Sequence, residues 1–486
     1  MFRRLLAAVL CTAGLAAADD LDSQMKSVID AWAVASANAA DPVGTDQAIY
    51  QGAIPGLLRV LDPHSVFFDP GQFDQLQKMQ ESTQKGFGSV VSLLPGRVFV
   101  LQTLPGTPSA KAGLGPGDEI LAINGYIIAR LDLDQLQELL TVSRQRPALL
   151  EVRKPGASRI VQYTLTPADL QTPSVERAFF LGAGVGYIRV SSFDENTGQD
   201  IKAAIEKLGG DRLAGLVLDL RNNPGGVVTA ALETASLFLQ PGQKIFTIRG
   251  RHVPEKAEEV PATAKPYGFK LAVLINGKSA SASEIVTGAL QDHDRATVIG
   301  EPSYGKGLVQ SVFKLSEGTG LALTTALYYT PSGRSIQKPL DAARFELAAT
   351  TAHPNQQTVF HTDKGRVVTG GGGIQPDIVV LPRPMDRLRA VLEASGAFTT
   401  FATNYLQTHK IDTNFEVTPQ ILDEFHLFLV SNNIQPDMAE WSQARDFITN
   451  RLKTEFFNLS FGVEKGDEVD AQRDPVIQKA LEVVGS

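Results

Sequence analysis

Three serines within five positions, Ser279, Ser281 and Ser283, alternate with alanine in the run INGKSASASEI, residues 275 to 285. Residue types at that spacing allow a phosphate cradle, a serine nucleophile or a helix N-cap. A phosphate-binding loop needs G-x-x-x-x-G-K-[ST], whose first glycine lets the backbone curl around the phosphates. Counting back from Gly277 puts Ala272 there, and Val273, Leu274 and Ile275 are apolar strand formers, so the chain is still extended where such a loop would wrap. A helix cap uses one serine. Three of them, separated by residues small enough for another group to approach, suit a strand-to-helix turn that projects a hydroxyl beside unpaired backbone N–H groups. The positive end of a helix at that place also favours an oxyanion.

A serine nucleophile needs a base. His293 stands between Asp292 and Asp294, but a helix starting near Ser281 carries it about 18 Å along the axis at 1.5 Å per residue. The other candidate is Lys306, in the run EPSYGKG that follows the next expected strand and so lies at the same sheet edge. A lysine acts as base only where burial leaves its amine neutral.

Further runs share the order of these two. Residues 219 to 226 read DLRNNPGG, residues 324 to 337 read TTALYYTPSGRSIQ, and residues 373 to 377 read GIQPD. Upstream, Gly86-Phe87-Gly88-Ser89 is followed by PSAKAGLGPGDEILAING, residues 108 to 125. The run from 279 to 310 resembles the signature of the carboxy-terminal processing peptidases, serine proteases that carry a PDZ domain, and the likeness covers about residues 45 to 382. It implies that Ser281 is the nucleophile, Lys306 the base and Gln310 the residue that supports the lysine. In a straight strand the α-carbons of Lys306 and Gln310 would be ~13 Å apart, so the chain must bend near Gly307. The likeness also implies an oxyanion hole made by Ala282 N–H and a glycine amide of the 219–226 turn; Gly225 is the expected donor, although spacing alone does not choose between it and Gly226. In PDZ domains a loop like Gly86, Phe87, Gly88 and Ser89 holds a free C-terminal carboxylate through backbone N–H groups, while the peptide adds as a strand. Ser89 departs from the apolar residue usual there.

The expected activity is therefore an exported serine endopeptidase that recognises protein C-termini and works through an acyl-enzyme, with no cofactor. Its partners would be proteins or peptides with exposed C-termini. A peptide-binding scaffold without catalysis, or a Ser-His hydrolase using His293, are the alternatives. The seven histidines show no H-E-x-x-H spacing, so no metal site is expected.

The elements that must position these residues follow from periodicity. With 486 residues the chain has room for about three domains, and 43% hydrophobic with 20% charged residues is an ordinary globular composition. Arg3 and Arg4, the apolar run from Leu5 to Leu15 and Ala16-Ala17-Ala18 read as a signal peptide, 1–18, too short to span a bilayer. Export to a bacterial periplasm or cell envelope follows, with no transmembrane segment left after its removal. Cys11 is the single cysteine and lies within that segment, which excludes disulfides and thiol chemistry from the mature chain. A formal charge of −8 leaves no basic surface for nucleic acid.

Helical spacing marks residues 19–84. Short strands around one helix mark 85–168 as the PDZ domain, inserted before the core. Strand–helix–strand units over 169–384 predict an α/β protease core on a largely parallel sheet. Residues 385–486 turn amphipathic and helical, suited to packing on the core or to a homo-oligomer contact. The fold class expected is thus α/β and α+β multidomain, with helical N- and C-terminal segments.

Overall fold

The computed structural model describes residues 22–41, 43–62, 64–80, 83–171, 173–182, 184–338, 359–382 and 385–485. The proposed signal peptide lies outside them. The chain divides into two compact units: one takes in residues up to Phe73 with Ser311–Leu323, the other Asp74–Gln310 with Thr324 onward. In the first, residues 22–38 and Ile54–Leu61 are helical and Val66–Phe68 pairs antiparallel with residues 320–322.

The second unit is built on a six-stranded sheet in the order Val175–Gly182, Val185–Val190, Gly215–Asp219, Lys270–Ile275, Thr297–Gly300, Ile378–Val379. Only the first pair is antiparallel; the other four pairings are parallel. Unbroken apolar runs such as Leu271–Ile275 are the mark of a parallel strand covered on both faces, and alternate side chains do go to opposite covers. Leu216, Leu218, Val273, Ile275 and Val298 pack with the helices Thr197–Lys207, Val228–Ser236 and Ala282–Asp292. Val217, Ala272, Leu274 and Ile299 point the other way, onto Ile477, Ala480 and Val484.

That second cover is the last helix of the tail, Pro475–Val484. Val476, Ile477, Ala480 and Val484 form one helical stripe, all buried. The tail is therefore part of the core's architecture. Four of its other helices, Arg387–Ser395, Ala397–Leu406, Pro419–Ser431 and Met438–Phe461, enclose a separate aromatic core around Phe398, Phe401, Phe425 and Phe456.

The PDZ sheet runs Ser89–Leu94, Arg97–Thr103, Glu119–Ile123, Ala148–Arg153, Ile160–Leu165, antiparallel throughout. Asp132 caps the helix Leu133–Ser143 in a reciprocal bond with Gln135. The chain enters and leaves the domain through a two-stranded stem, Thr83–Gly86 against Ala168–Gln171. The tail grips this domain from outside: Arg97 Nη1 donates to Thr400 Oγ1 (3.0 Å) and Val463 N–H to Gln102 Oε1 (3.0 Å).

If the last helix is the second cover of the sheet, Ile477→Ala should lower unfolding free energy by about 2–5 kcal/mol, the usual cost of emptying a buried aliphatic site. Denaturant titration monitored by circular dichroism measures it, and a loss well under 1 kcal/mol would mean that the sheet face is not sealed by this helix.

Candidate active site

The three loops that carry the sequence motifs all leave the C-terminal edge of the parallel strands, where α/β sheets place their sites. They follow Gly215–Asp219, Lys270–Ile275 and Thr297–Gly300.

The three serines have different surroundings. Ser279 is fully buried, and its hydroxyl donates to Leu220 O (2.8 Å) and accepts from Asn276 N–H (3.0 Å). Ser283 is equally buried, its hydroxyl donating to Asn223 O (3.0 Å). Both serve the backbone of the turn. Ser281, between them, is half-buried and adopts φ 55°, ψ −113° at the N-cap of the Ala282–Asp292 helix. A left-handed φ in a residue with a Cβ costs about 1–3 kcal/mol and persists only where neighbours enforce it. This is the geometry of a strand-to-helix nucleophile elbow.

One neighbour that enforces it is Gly225. At φ 96°, a Cβ there would lie 2.6 Å from Ala280 O and 2.8 Å from both Ala282 N and Ser281 Cβ, so no other residue fits. Gly226 faces elsewhere: its Cβ would meet Phe193 O at 2.0 Å. Of the two glycines left open by spacing, Gly225 is the one against the serine turn. Its N–H donates to Asn223 Oδ1 (2.8 Å), and Asn223 O accepts from Ala280 N–H (3.0 Å). Ser283 and Glu284 N–H groups turn back to Ala280 O and Ser281 O, whereas Ala282 N–H is the first of the helix, beside Gly225.

Lys306 is half-buried in the irregular loop 301–307. The left-handed bend falls at Gly305 (φ 90°). Gly307 has a different reason to be glycine: a Cβ there would stand 2.8 Å from Ile336 Cγ1 and 2.9 Å from Gln337 N. The segments downstream brace this loop, with Gly307 N–H donating to Gln337 Oε1 (2.8 Å), Tyr328 N–H to Gly307 O (2.7 Å) and Ser303 N–H to Ile374 O (3.0 Å). Gln310 is half-buried on the strand Leu308–Lys314.

Among the described residues no hydrogen bond joins Lys306 Nζ to Ser281 Oγ. The two loops are joined instead by Glu284, a residue the sequence reading passed over. Its carboxylate is 1% exposed. Oε1 accepts from Ser303 Oγ (2.5 Å) and Gly305 N–H (2.7 Å), and Oε2 from Ser281 N–H and Lys306 N–H, each at 2.9 Å. Two nitrogens that share one acceptor at 2.9 Å are no more than 5.8 Å apart, which is within the span of a lysine's four-carbon stem. Burial pushes the Glu284 carboxyl above its ordinary pKa, against the opposing pull of these four hydrogen bonds. The signal was present in the sequence: Ser281-Ala-Ser-Glu284 is an S-x-x-E capping box.

His293 lies at the far end of the Ala282–Asp292 helix, its Nδ1 2.7 Å from Asp363 Oδ2 and its Nε2 2.7 Å from Lys244 O. Both ring nitrogens are engaged there, away from Ser281.

In the PDZ domain Phe87 O accepts from Ser109 N–H (2.9 Å), Gly88 O from Leu104 N–H (2.8 Å), and Ser89 Oγ donates to the buried Ser109 Oγ (2.6 Å). The inward Ser–Ser bond takes the place of the apolar side chain usual at Ser89. Gly88 has φ 78°, with its missing Cβ against the Thr107 side chain. Ser89–Leu94 is an edge strand. Phe87, Val91 and Leu93, with Leu139 and Leu140 of the Leu133–Ser143 helix, are half-buried against one core.

Comparison with known proteins bears on this arrangement. Residues 184–343 match the model of peptidase family S41 and residues 99–154 that of the PDZ domain. A carboxy-terminal-processing protease of Bartonella bacilliformis is 38% identical over 304 residues, 60% of this chain and 68% of that protein. The chain belongs to the carboxy-terminal processing proteases. A carboxyl-terminal-processing protease of Synechocystis sp. is 36% identical over 59% of this chain and 68% of that protein. Among solved structures, the photosystem II D1 C-terminal processing protease is 27% identical, covering 72% of this chain and 86% of its own, with a TM-score of 0.41.

In this member of the family Glu284→Ala would leave three backbone N–H groups and one hydroxyl without their acceptor in a buried place, each costing about 1–3 kcal/mol less whatever water recovers. The expected result is a lower thermal midpoint together with at least a ~10-fold fall in peptide turnover. A variant with the parent's melting curve and the parent's rate would show that Glu284 is not what joins the loops.

Proposed function

We propose that this chain is an exported serine endopeptidase that captures protein C-termini on its PDZ domain and cleaves near them through an acyl-enzyme. Ser281 Oγ attacks the scissile carbonyl while Lys306, as neutral amine, takes the hydroxyl proton and later returns it to the leaving amine. Gln310 orients the lysine. Gly225 and Ala282 N–H groups receive the oxyanion, which displaces Asn223 Oδ1 from the Gly225 N–H. Water then hydrolyses the ester and frees the new C-terminus.

The observation that carries this reading is the contrast among the serines: Ser279 and Ser283 are buried and bonded to backbone carbonyls, while Ser281 sits strained and accessible at a helix N-terminus. The shared Glu284 oxygen supports the choice of base, since it draws the lysine's backbone to within a side-chain length of that serine. The names of the relatives supply the class of substrate. The open edge of Ser89–Leu94, beside half-buried Val91, Leu93, Leu139 and Leu140, supports capture of an extended apolar tail by strand addition. Export rests on the pattern of residues 1–18; among the described residues no helix is long and apolar enough to cross a membrane.

An unfolded reporter with an apolar C-terminus tests the mechanism. Ser281→Ala and Lys306→Ala should each lower cleavage by about 10³-fold or more, with His293→Ala indistinguishable from the parent. Cleavage by Ser281→Ala at the parent rate would leave only the scaffold reading. The PDZ role has its own test: amidating the reporter's C-terminus should raise KM with little change in kcat, the signature of lost uniform binding, and identical KM values would sink it.

A further inference from the structure

The tail's last helix opens at Asp474, and the two oxygens of that carboxylate do different things. Oδ1 caps the helix, accepting from Val476 N–H (2.8 Å) and Ile477 N–H (3.2 Å). Oδ2 accepts from Arg221 Nη1 (2.7 Å), across 253 residues of sequence. Arg221 is in turn clasped from the core side by Asp219, whose carboxylate takes Nε (3.0 Å), Nη2 (2.6 Å) and the Arg221 backbone N–H (2.9 Å). Asp219 is 1% exposed and also accepts from Tyr187 Oη (2.7 Å). Burial alone would lower the Arg221 pKa, but the charges of Asp219 and Asp474 hold it above its ordinary value.

Arg221 begins the turn that faces the nucleophile. Asn222 exchanges bonds with Asn276, its N–H to Oδ1 (2.9 Å) and its Oδ1 from Nδ2 (3.0 Å). Asn223 O holds Ala280 N–H and Ser283 Oγ, and Gly225 lies against Ser281 and Ala282. On its tail side the turn borders a cavity of about 1130 Å³ lined by Arg221, Asn222, Asn276, Glu301 and Asp474. Beside that cavity the charged Arg221–Asp474 bond ties the start of the turn to the tail.

We infer that Asp474 is a positioning residue for the active site: holding Arg221 from the tail, it fixes the 221–226 turn and through it the setting of Ser281 and the N–H groups beside it. The inference rests on Ser281 being the nucleophile. It makes the tail, which lies outside both matched family segments, a working part of the catalytic apparatus.

A fluorophosphonate probe measures it on the full chain. Ser281 Oγ bonds to phosphorus as fluoride leaves and the hydroxyl proton passes to the base, and labelling well below every variant's thermal midpoint keeps the folded fraction from altering the first-order constant. Asp474→Asn keeps a good cap but loses the charge on Arg221; labelling should slow about three- to tenfold with the thermal midpoint nearly unmoved. Asp474→Glu does the reverse, keeping charge and weakening the cap, so it should label near the parent rate while melting earlier. In an Arg221→Gln background, Asp474→Asn should change nothing further, since both act through one contact. Asp467→Asn, which breaks the tail's separate pair with Arg177, is the control and should label like the parent. Equal rates for parent and Asp474→Asn, full additivity with Arg221→Gln, slowing by Asp474→Glu as great as by Asp474→Asn, or equal slowing by Asp467→Asn would each overturn the proposal. A parent that takes up no label at Ser281 would sink the nucleophile reading itself, and this inference with it.

Discussion

A buried carboxylate ties the serine turn to the loop that carries Lys306. Glu284 accepts from Ser281 N–H, Lys306 N–H, Gly305 N–H and the Ser303 hydroxyl. Taken out of water, an acceptor of that kind is stable only if its surroundings supply donors in the right places, so the end of one strand and the loop after the next are obliged to converge on it. The strained backbone of Ser281 sits at the same junction, its N–H bonded to Glu284 Oε2. Position, more than the acidity of any one group, is what the fold contributes here.

The same logic explains why so much distant chain surrounds the site. The lysine loop is irregular over 301–307 and has no secondary structure of its own to hold it. Glu284 takes the Gly305 and Lys306 N–H groups, and two later segments brace the rest of the loop through Gln337 and Ile374 among others. Those segments are themselves anchored on the serine helix, where the fully buried Arg334 donates to Gln291 Oε1 and Asp292 Oδ1, both at 2.7 Å. Helix, lysine loop and downstream segments thus close into one hydrogen-bonded circuit.

The tail extends this economy to the whole second unit. Its last helix seals a sheet face that would otherwise expose Val217, Ala272, Leu274 and Ile299, while its earlier helices hold the PDZ sheet through Arg97 and Gln102. The PDZ domain, on its two-stranded stem, is given a second attachment, so its edge strand is held at a defined place with respect to the core. In the loop Gly86 to Ser89, side chains shape the backbone: the Ser89–Ser109 bond and the close approach of Gly88 to Thr107 set its course.

The sequence by itself determined the elements and the chemistry-bearing residue types. Apolar strand runs separated by helical stretches predicted a largely parallel sheet, the small residues around Ser281 marked a strand-to-helix turn, and the paired glycines at 225 and 226 marked a turn of close approach. These are legible because they are local: backbone sterics and burial periodicity act over a few neighbouring residues. What only the tertiary structure decided is long-range. It separated Ser281 from Ser279 and Ser283 by what each hydroxyl touches, chose Gly225 over Gly226 as the neighbour of the serine turn, and brought Glu284, Ser303 and Asp474 to loops from which spacing alone could not place them. The edge strand Ser89–Leu94 and the role of Pro475–Val484 as a sheet cover were likewise invisible, because an amphipathic stripe states that it must be buried but not against what. That choice belongs to the packing of the whole chain, where each apolar face finds the partner whose shape fits it.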